Sequence, residues 1–286
     1  NFKYNDDHRE ILPLDTEGLQ FICNHAEMKY PLLPEFPFHW HSALEFNYVQ
    51  EGEIEVETTE EIHRIKKGEA FFVNSNVIHS IKTVSPGHYC NLYAFLFAPE
   101  YLSGLYNHEI DQKYMRPILK AKNFDLFVIQ PDHLESLKMI ENIIHIIDLT
   151  KEEPFGYEFT IRYLLSEVWC TMLRETAEMR TELPKANAFD LSRIKLMISF
   201  IQSHYMEKIS LNDIAMTASI SVRECNRCFS RCLSQSPNNY LMKYRLSKAC
   251  KMLIYTSDSI TTISENCGFN SSSYMGKLFS DTFNCT

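Results

Sequence analysis

The first hundred residues group their apolar side chains in short clusters, and the next eighty space them at intervals of three and four. Leu44–Val49, Glu53–Thr58, Ala70–Val73 and Leu92–Phe97 are brief runs rich in β-branched and aromatic residues, with Gln50-Glu51-Gly52 and Lys66-Lys67-Gly68-Glu69 as turn-forming separators. Several short strands at this interval predict a β sandwich or barrel. The period then lengthens. Leu134, Leu137, Ile140, Ile143, Ile144 and Ile147 predict an amphipathic helix over about 132–149. Phe159, Tyr163, Leu164, Val168, Trp169 and Leu173 predict a second over about 157–179. Two striped helices behind a small barrel are expected to cover it or to pair two copies of the chain, and to relay a signal out of it.

From residue 189 onward the chain is punctuated by helix starts. Ser210-Leu211-Asn212-Asp213 and Ser221-Val222-Arg223-Glu224 follow the Ser-x-x-acid pattern, in which the hydroxyl accepts an unpaired backbone N–H. Ser236-Pro237 puts a cap before a proline at the first helical position. Ser259 and Ser271 open two more helices, with Gly268 at the sharp turn between them. The segments 210–236 and 259–286 repeat: Ile214 corresponds to Ile263, Ser221 to Ser271, Arg227 to Lys277 and Phe229 to Phe279. A helix, a tight turn and a Ser-capped helix, occurring twice, predict two helix-turn-helix units. The polar, Pro-containing stretch before them sets the organisation. The expected organisation is an N-terminal domain over 1–180, with the barrel at about 20–100 and helices at about 132–179; a linker over 181–188; and a helical domain over 189–286 that carries both DNA-binding units. The fold class is therefore α+β in two domains, a β jelly roll followed by helices and then an all-α domain.

Composition adjusts this picture at three points. The chain has 286 residues, 45% hydrophobic and 23% charged, enough for two cores. Nine scattered cysteines, an odd number, argue against a disulfide framework. Cys225, Cys228 and Cys232 share one helical face and are read as small buried hydrophobes. The net charge of −9 conceals an asymmetry: residues 186–286 carry 11 Lys/Arg against 7 Asp/Glu, leaving 17 against 30 in residues 1–185. An acidic module joined to a mildly basic one fits a nucleic-acid binder. No apolar run approaches the ~18 residues of a membrane span, and the opening residues lack a secretion signal, so a cytoplasmic protein is expected.

Residues 209–286 resemble the DNA-binding domain of the AraC/XylS family of bacterial regulators. The resemblance rests on Ile209-Ser210-Leu211, Ile214-Ala215, Ser221, Arg227, Phe229, Ser236-Pro237, Tyr240, Arg245-Leu246 and Ala249. In the second unit it rests on Ile260, Ile263, Gly268-Phe269, Ser271, Tyr274 and Phe279. Ser234 stands where the family usually has glycine, and Met275 replaces a common phenylalanine. The resemblance implies that Ser221, Arg223, Asn226 and Arg227 meet DNA in the first unit, with Arg suited to guanine and Asn to adenine. Ser271, Ser272, Ser273, Gly276 and Lys277 correspond in the second, a face poor in long donors. The first unit is expected to carry most of the sequence discrimination. Partners implied are double-stranded DNA and RNA polymerase, with the protein acting as a homodimer.

His39-Trp40-His41 with Glu45 and Gly52, then Gly68 and His79, resembles the paired motifs of the cupins, small double-sheet jelly rolls. Metal-dependent cupins would hold a divalent transition metal on His39, His41, Glu45 and His79, a donor set that suits zinc, iron, nickel or manganese. The other reading is an organic effector pocket that requires no cofactor, lined by His39, Trp40, His41, Glu45, Tyr48, Phe72, His79 and Tyr93 and sized for a sugar or similar polar metabolite. Expected function is thus a sequence-specific transcription regulator answering to a small molecule, not an enzyme. The alternative is a metal-dependent cupin enzyme or metal sensor with an accessory DNA-binding domain.

Overall fold

One long strand belongs to two antiparallel sheets and holds the N-terminal domain together. The computed structural model describes residues 3–4, 10–11, 20–29, 35–84, 89–104, 109–121, 123–179 and 188–283; the expected linker, apart from Ala188, lies outside them. β1 (Lys3–Tyr4) and β2 (Glu10–Ile11) form a separate two-stranded ladder. The jelly roll comprises β3 (Phe21–Lys29), β4 (Glu35–His39), β5 (Leu44–Thr58), β6 (Ile62–Lys66), β7 (Ala70–Val73), β8 (His79–Thr83), β9 (Tyr89–Phe97) and β10 (Leu126–Ile129). The first half of β5 lies in a sheet ordered β10-β7-β5-β9-β3, and its second half lies in a sheet ordered β6-β5-β8-β4.

Gln50-Glu51-Gly52 is therefore not the turn the sequence suggests. β5 runs straight through it, with a register shift against β9 between Val49 and Glu51. Gly52 has φ +84°, and a Cβ there would lie 1.8 Å from the Tyr89 carbonyl oxygen. A glycine so placed lets the strand bulge and pass from one sheet to the other.

Side-chain parity along β5 then sorts the domain into layers. Leu44 and Phe46 face outward with Phe72, Phe95 and Phe97, and meet two helices, α3 (Leu134–Glu152) and α4 (Tyr157–Glu175). Short helices α1 (Pro99–Ser103) and α2 (Arg116–Leu119) bridge barrel and helices. Ile143, Ile147, Ile161, Leu165, Val168 and Trp169 complete this core, each side chain contributing roughly 1.5–3 kcal/mol on burial. The buried stripe of α4 is offset from the expected one: Phe159 and Tyr163 are exposed, while Ile161, Leu165 and Met172 are buried. Val49, Ile54, Val56, Phe71, Val73, Ile81 and Leu92 point the other way, into the barrel.

The C-terminal domain is α5 (Ala188–His204), α6 (Leu211–Thr217), α7 (Val222–Leu233), α8 (Pro237–Tyr255), α9 (Ile260–Asn266) and α10 (Ser272–Phe283). The five serine caps form as the sequence implies: Ser210, Ser221, Ser236, Ser259 and Ser271 each accept from the backbone N–H three residues on, at 3.1–3.2 Å. Ser210 closes a capping box, because its own N–H donates to Asp213 at 2.7 Å. Ser234 adopts the left-handed conformation (φ 50°) that glycine normally supplies.

This domain docks on the barrel, against the sheet opposite α3 and α4. Phe38, Trp40 and Ile78 share one core with Ile194, Met197, Ile198 and Ile201 of α5 and with Phe229 and Tyr240. The Phe38 carbonyl accepts from Gln202 Nε2 at 3.0 Å and from the Tyr240 hydroxyl at 2.9 Å. Burial pushes the Tyr240 phenol well above its ordinary value, which keeps it a neutral donor. Lys195 Nζ donates to the Asn76 carbonyl at 2.6 Å.

Candidate metal centre and nucleic-acid interface

A β-bulge makes the barrel site possible. The register between β4 and β8 shifts between Phe36 and His39, so Phe36 and His39 both face the barrel interior while Phe38 and Trp40 face the DNA-binding domain. His39 pairs directly with His79 across β4 and β8. His41 follows the strand, and Glu45 enters from β5 with inward parity.

The imidazoles of His39, His41 and His79 each offer a ligand atom within 4.8 Å of the others. Their Nδ1 atoms lie against backbone carbonyls: His39 on Pro37 (2.8 Å), His41 on Ala43 (3.1 Å) and His79 on Val77 (3.0 Å). With each Nδ1 anchored on a carbonyl, each Nε2 faces the interior and is the atom a metal would take. Glu45 Oε2 lies 3.1 Å from His41 Nε2 and 3.4 Å from His79 Nε2. His79 Nε2 is fully buried and makes no hydrogen bond of acceptable geometry. Burial, then the neighbouring His79 and His41, pushes the His39 imidazole well below its ordinary value, so it is neutral. Burial opposes charge on Glu45, but the adjacent imidazoles of His41 and His79 outweigh it and hold that carboxyl well below the usual range. A divalent metal would require all three imidazoles neutral and the Glu45 carboxyl ionised.

A cavity of about 90 Å³ adjoins the cluster inside the barrel. Its walls include His39, His41, Glu45, Asn47, Leu92 and Ala94, and exposed Asn24 stands at its mouth. The structure gathers only part of the set expected from sequence. Tyr48, Phe72 and Tyr93 lie on the other face of their strands, toward α3 and α4: Phe72 packs on Phe46, Phe124 and Trp169, and Tyr93 stacks on His25 beneath Lys151. Trp40 belongs to the interdomain core. Asn47, two residues beyond Glu45 on the same face, escaped the sequence reading; the available signal was an amide in an otherwise apolar inward row. A larger cleft, about 200 Å³, opens at the domain seam beside Glu35, Lys82, Tyr240 and Lys243. Its Lys82 is already paired with Glu55 and Glu57.

In the first helix-turn-helix unit, α7 buries Cys225, Cys228, Phe229, Cys232 and Leu233 and turns Arg223 and Arg227 to solvent. Arg227 reaches Glu224 at 3.4 Å. Asn226 is half-buried and donates to the Val222 carbonyl at 2.9 Å. Arg231, one turn further on, is held by Asp190 of α5 and by Glu224 (both 2.8 Å), which ties the helix to α5. In the second unit Ser271 caps α10; Ser273, Gly276 and Lys277 are exposed and Ser272 half-buried. Gly268 (φ +75°) makes the turn, where a Cβ would lie 2.3 Å from the Tyr205 carbonyl oxygen. The connecting helix α8 has 19 residues, roughly 28 Å at ~1.5 Å each. That length is of the order of the ~34 Å between successive major-groove faces of B-DNA.

A ligand-binding barrel of this kind, joined to paired helix-turn-helix units, defines a DNA-binding transcription regulator. A helix-turn-helix domain model matches residues 214–286, and a cupin domain model matches residues 28–94. The chain is 25% identical to the HTH-type transcriptional regulator YdeC of Bacillus subtilis, over 100% of this chain and 96% of that one. It is 24% identical to the HTH-type transcriptional activator RhaR of Mannheimia succiniciproducens, over 88% and 86%. Among solved structures, ToxT from Vibrio cholerae shares the two-domain fold with a TM-score of 0.51 at 14% identity, covering 94% of this chain and 96% of that one. The chain is thus a DNA-binding transcription regulator of the helix-turn-helix type with an N-terminal cupin domain.

Proposed function

We propose that the barrel holds a divalent transition metal on His39, His41, His79 and Glu45, and that occupancy of this centre and its cavity sets the DNA affinity of the helix-turn-helix pair. The observation that carries the reading is the convergence of three imidazoles, each with Nδ1 anchored on a backbone carbonyl. The metal would supply a Lewis-acidic anchor for an oxygen-bearing effector. The cavity of about 90 Å³ beside the cluster would receive that effector, a sugar or another small polar metabolite.

The route outward is β4 and β8 rather than α3 and α4. His39 and His41 alternate with Phe38 and Trp40, and Ile78 precedes His79, so a shift of the chelating face moves the docking face. A coupling of about 1–3 kcal/mol is the usual scale of such linkage. The reading is of a sensor and not an enzyme, in keeping with relatives that are regulators. It extends to a cytoplasmic homodimer that works with RNA polymerase. The exposed Leu134, Phe155, Phe159 and Tyr163 on and between α3 and α4 support pairing of two copies there. Among the described residues no helix is long and apolar enough to cross a membrane.

Elemental mass spectrometry of untagged protein kept from chelators tests the centre. About one equivalent of transition metal per chain, lost in His79→Ala, is expected. Absence of metal, with none taken up on incubation, would overturn it.

A further inference from the structure

The cavity beside the metal cluster contains a second recognition element that the metal does not use. Asn47 is 0% exposed, and neither its Nδ2 nor its Oδ1 has a hydrogen-bond partner. Buried amides are almost always satisfied, because leaving one unpaired forfeits its solvation with nothing in return. Asn47 sits opposite Phe71 on β7 and Ala94 on β9, with inward parity, and lines the same cavity as Glu45. The remaining walls, Ala26, Phe36, Ile81, Leu92 and Leu96, are apolar. A fully buried amide with both ends open, aimed into a mostly apolar cavity, is the form of a ligand-specificity group.

We infer that the cavity binds a small 2-hydroxycarboxylate, with its carboxylate toward the metal and its hydroxyl on the Asn47 amide. This rests on the metal reading above. Three constraints select the class. Size comes first: the cavity beside the cluster is small, about 90 Å³. Charge is second. A divalent ion with three neutral imidazoles and one carboxylate leaves a single positive charge, which a monoanion cancels in an apolar enclosure. Hydrogen bonding is third. Asn47 has an open donor and an open acceptor, and a hydroxyl meets both, since it accepts from Nδ2 and donates to Oδ1. A keto oxygen meets only the donor. An unsubstituted carboxylate with a methyl group at that end meets neither.

The test uses the full chain loaded with Co²⁺, whose visible absorption reports the coordination sphere, titrated with glycolate, glyoxylate and acetate and followed in parallel by calorimetry. Glycolate is expected to bind at least about tenfold more tightly than acetate, the scale of one or two well-made hydrogen bonds, with glyoxylate, a gem-diol in water that also offers hydroxyls, close to glycolate. In Asn47→Leu, close in shape and lacking the amide, the three acids should bind alike while Co²⁺ uptake and its spectrum are retained. Asn47→Leu should also melt higher than the native chain in the absence of acid, because it removes an unpaired buried amide; this checks that the variant folds. Failure of the native chain to take up Co²⁺ is seen before any acid is added and refutes the metal reading. Uptake with equal affinities for the three acids, or selectivity that survives in Asn47→Leu, refutes the Asn47 assignment alone.

Discussion

Replacing Arg223 and Arg227 with alanine tests the first helix-turn-helix unit as the sequence reader. Both guanidinium groups lie on the exposed face of α7, but they start from different states. Arg227 is 62% exposed and paired with Glu224 at 3.4 Å. An exposed pair of that kind is worth only about 0.2–1 kcal/mol. A bidentate arginine contact to guanine discriminates by about 1–3 kcal/mol. DNA therefore wins Arg227 from Glu224, and the net loss in Arg227→Ala should be about 1–2 kcal/mol, against about 1–3 for Arg223→Ala. The double variant should lose around 3 kcal/mol, a factor of about 150 in affinity. Fluorescence anisotropy on a duplex selected from a random pool by the native protein measures this. Repeating it from about 50 to 200 mM salt separates the two kinds of contact, since each lost phosphate contact flattens the salt slope by about 0.9. Arg231→Ala is the internal control. Its guanidinium already serves Asp190 and Glu224, so its removal should lower thermal stability and change affinity by less than about tenfold. If the double variant, with native circular dichroism, stays within about threefold of the native affinity, α7 is not the reading helix.

Phe38→Ala removes a ring from the interdomain core, worth up to about 3–5 kcal/mol in a well-packed site; a larger radius of gyration by small-angle scattering is expected, and an unchanged one would show that this contact does not hold the domains together. Gly52→Ala should fail to fold or melt far lower, because its methyl would sit 1.8 Å from the Tyr89 carbonyl oxygen, whereas Gly276→Ala meets nothing within 4 Å and should gain up to about 1 kcal/mol in thermal denaturation. Ser210→Ala, which loses the α6 cap, should cost about 1 kcal/mol by chemical denaturation; no change would mean that water caps the helix as well.

What could be read from the sequence followed from local chemistry. The serine caps form because a hydroxyl at that position satisfies a helix N–H whatever the surroundings, and α3 emerged over Leu134–Glu152 because its stripe faces one sheet. His39, His41, Glu45 and His79 were found by motif and converge as expected. Trp40, Tyr48, Phe72 and Tyr93 were grouped with them on chemistry, against strand parity: Trp40 alternates with two inward histidines, and Tyr48 with Glu45 and Asn47. The β4 bulge that places Phe36 and His39 on one face depends on pairing with β8, a contact some forty residues away, and leaves no local trace. β10, Leu126-Phe127-Val128-Ile129 between Asp125 and Pro131, carries a local strand signal, but its place on the β7 edge is again non-local. Docking of α5 on Phe38, Trp40 and Ile78 is equally non-local and leaves no trace in the spacing of apolar residues.

The alternation of chelating and docking residues along one strand limits how freely such regulators can be recombined. A chimera that joins this sensor to a foreign DNA-binding domain anywhere in residues 181–188 preserves chain connectivity but leaves Phe38, Trp40 and Ile78 facing a surface that did not evolve against them. On the proposed coupling, response and readout form a matched pair, and grafting a new DNA specificity onto this barrel requires carrying over Lys195, Ile198, Gln202 and Tyr240.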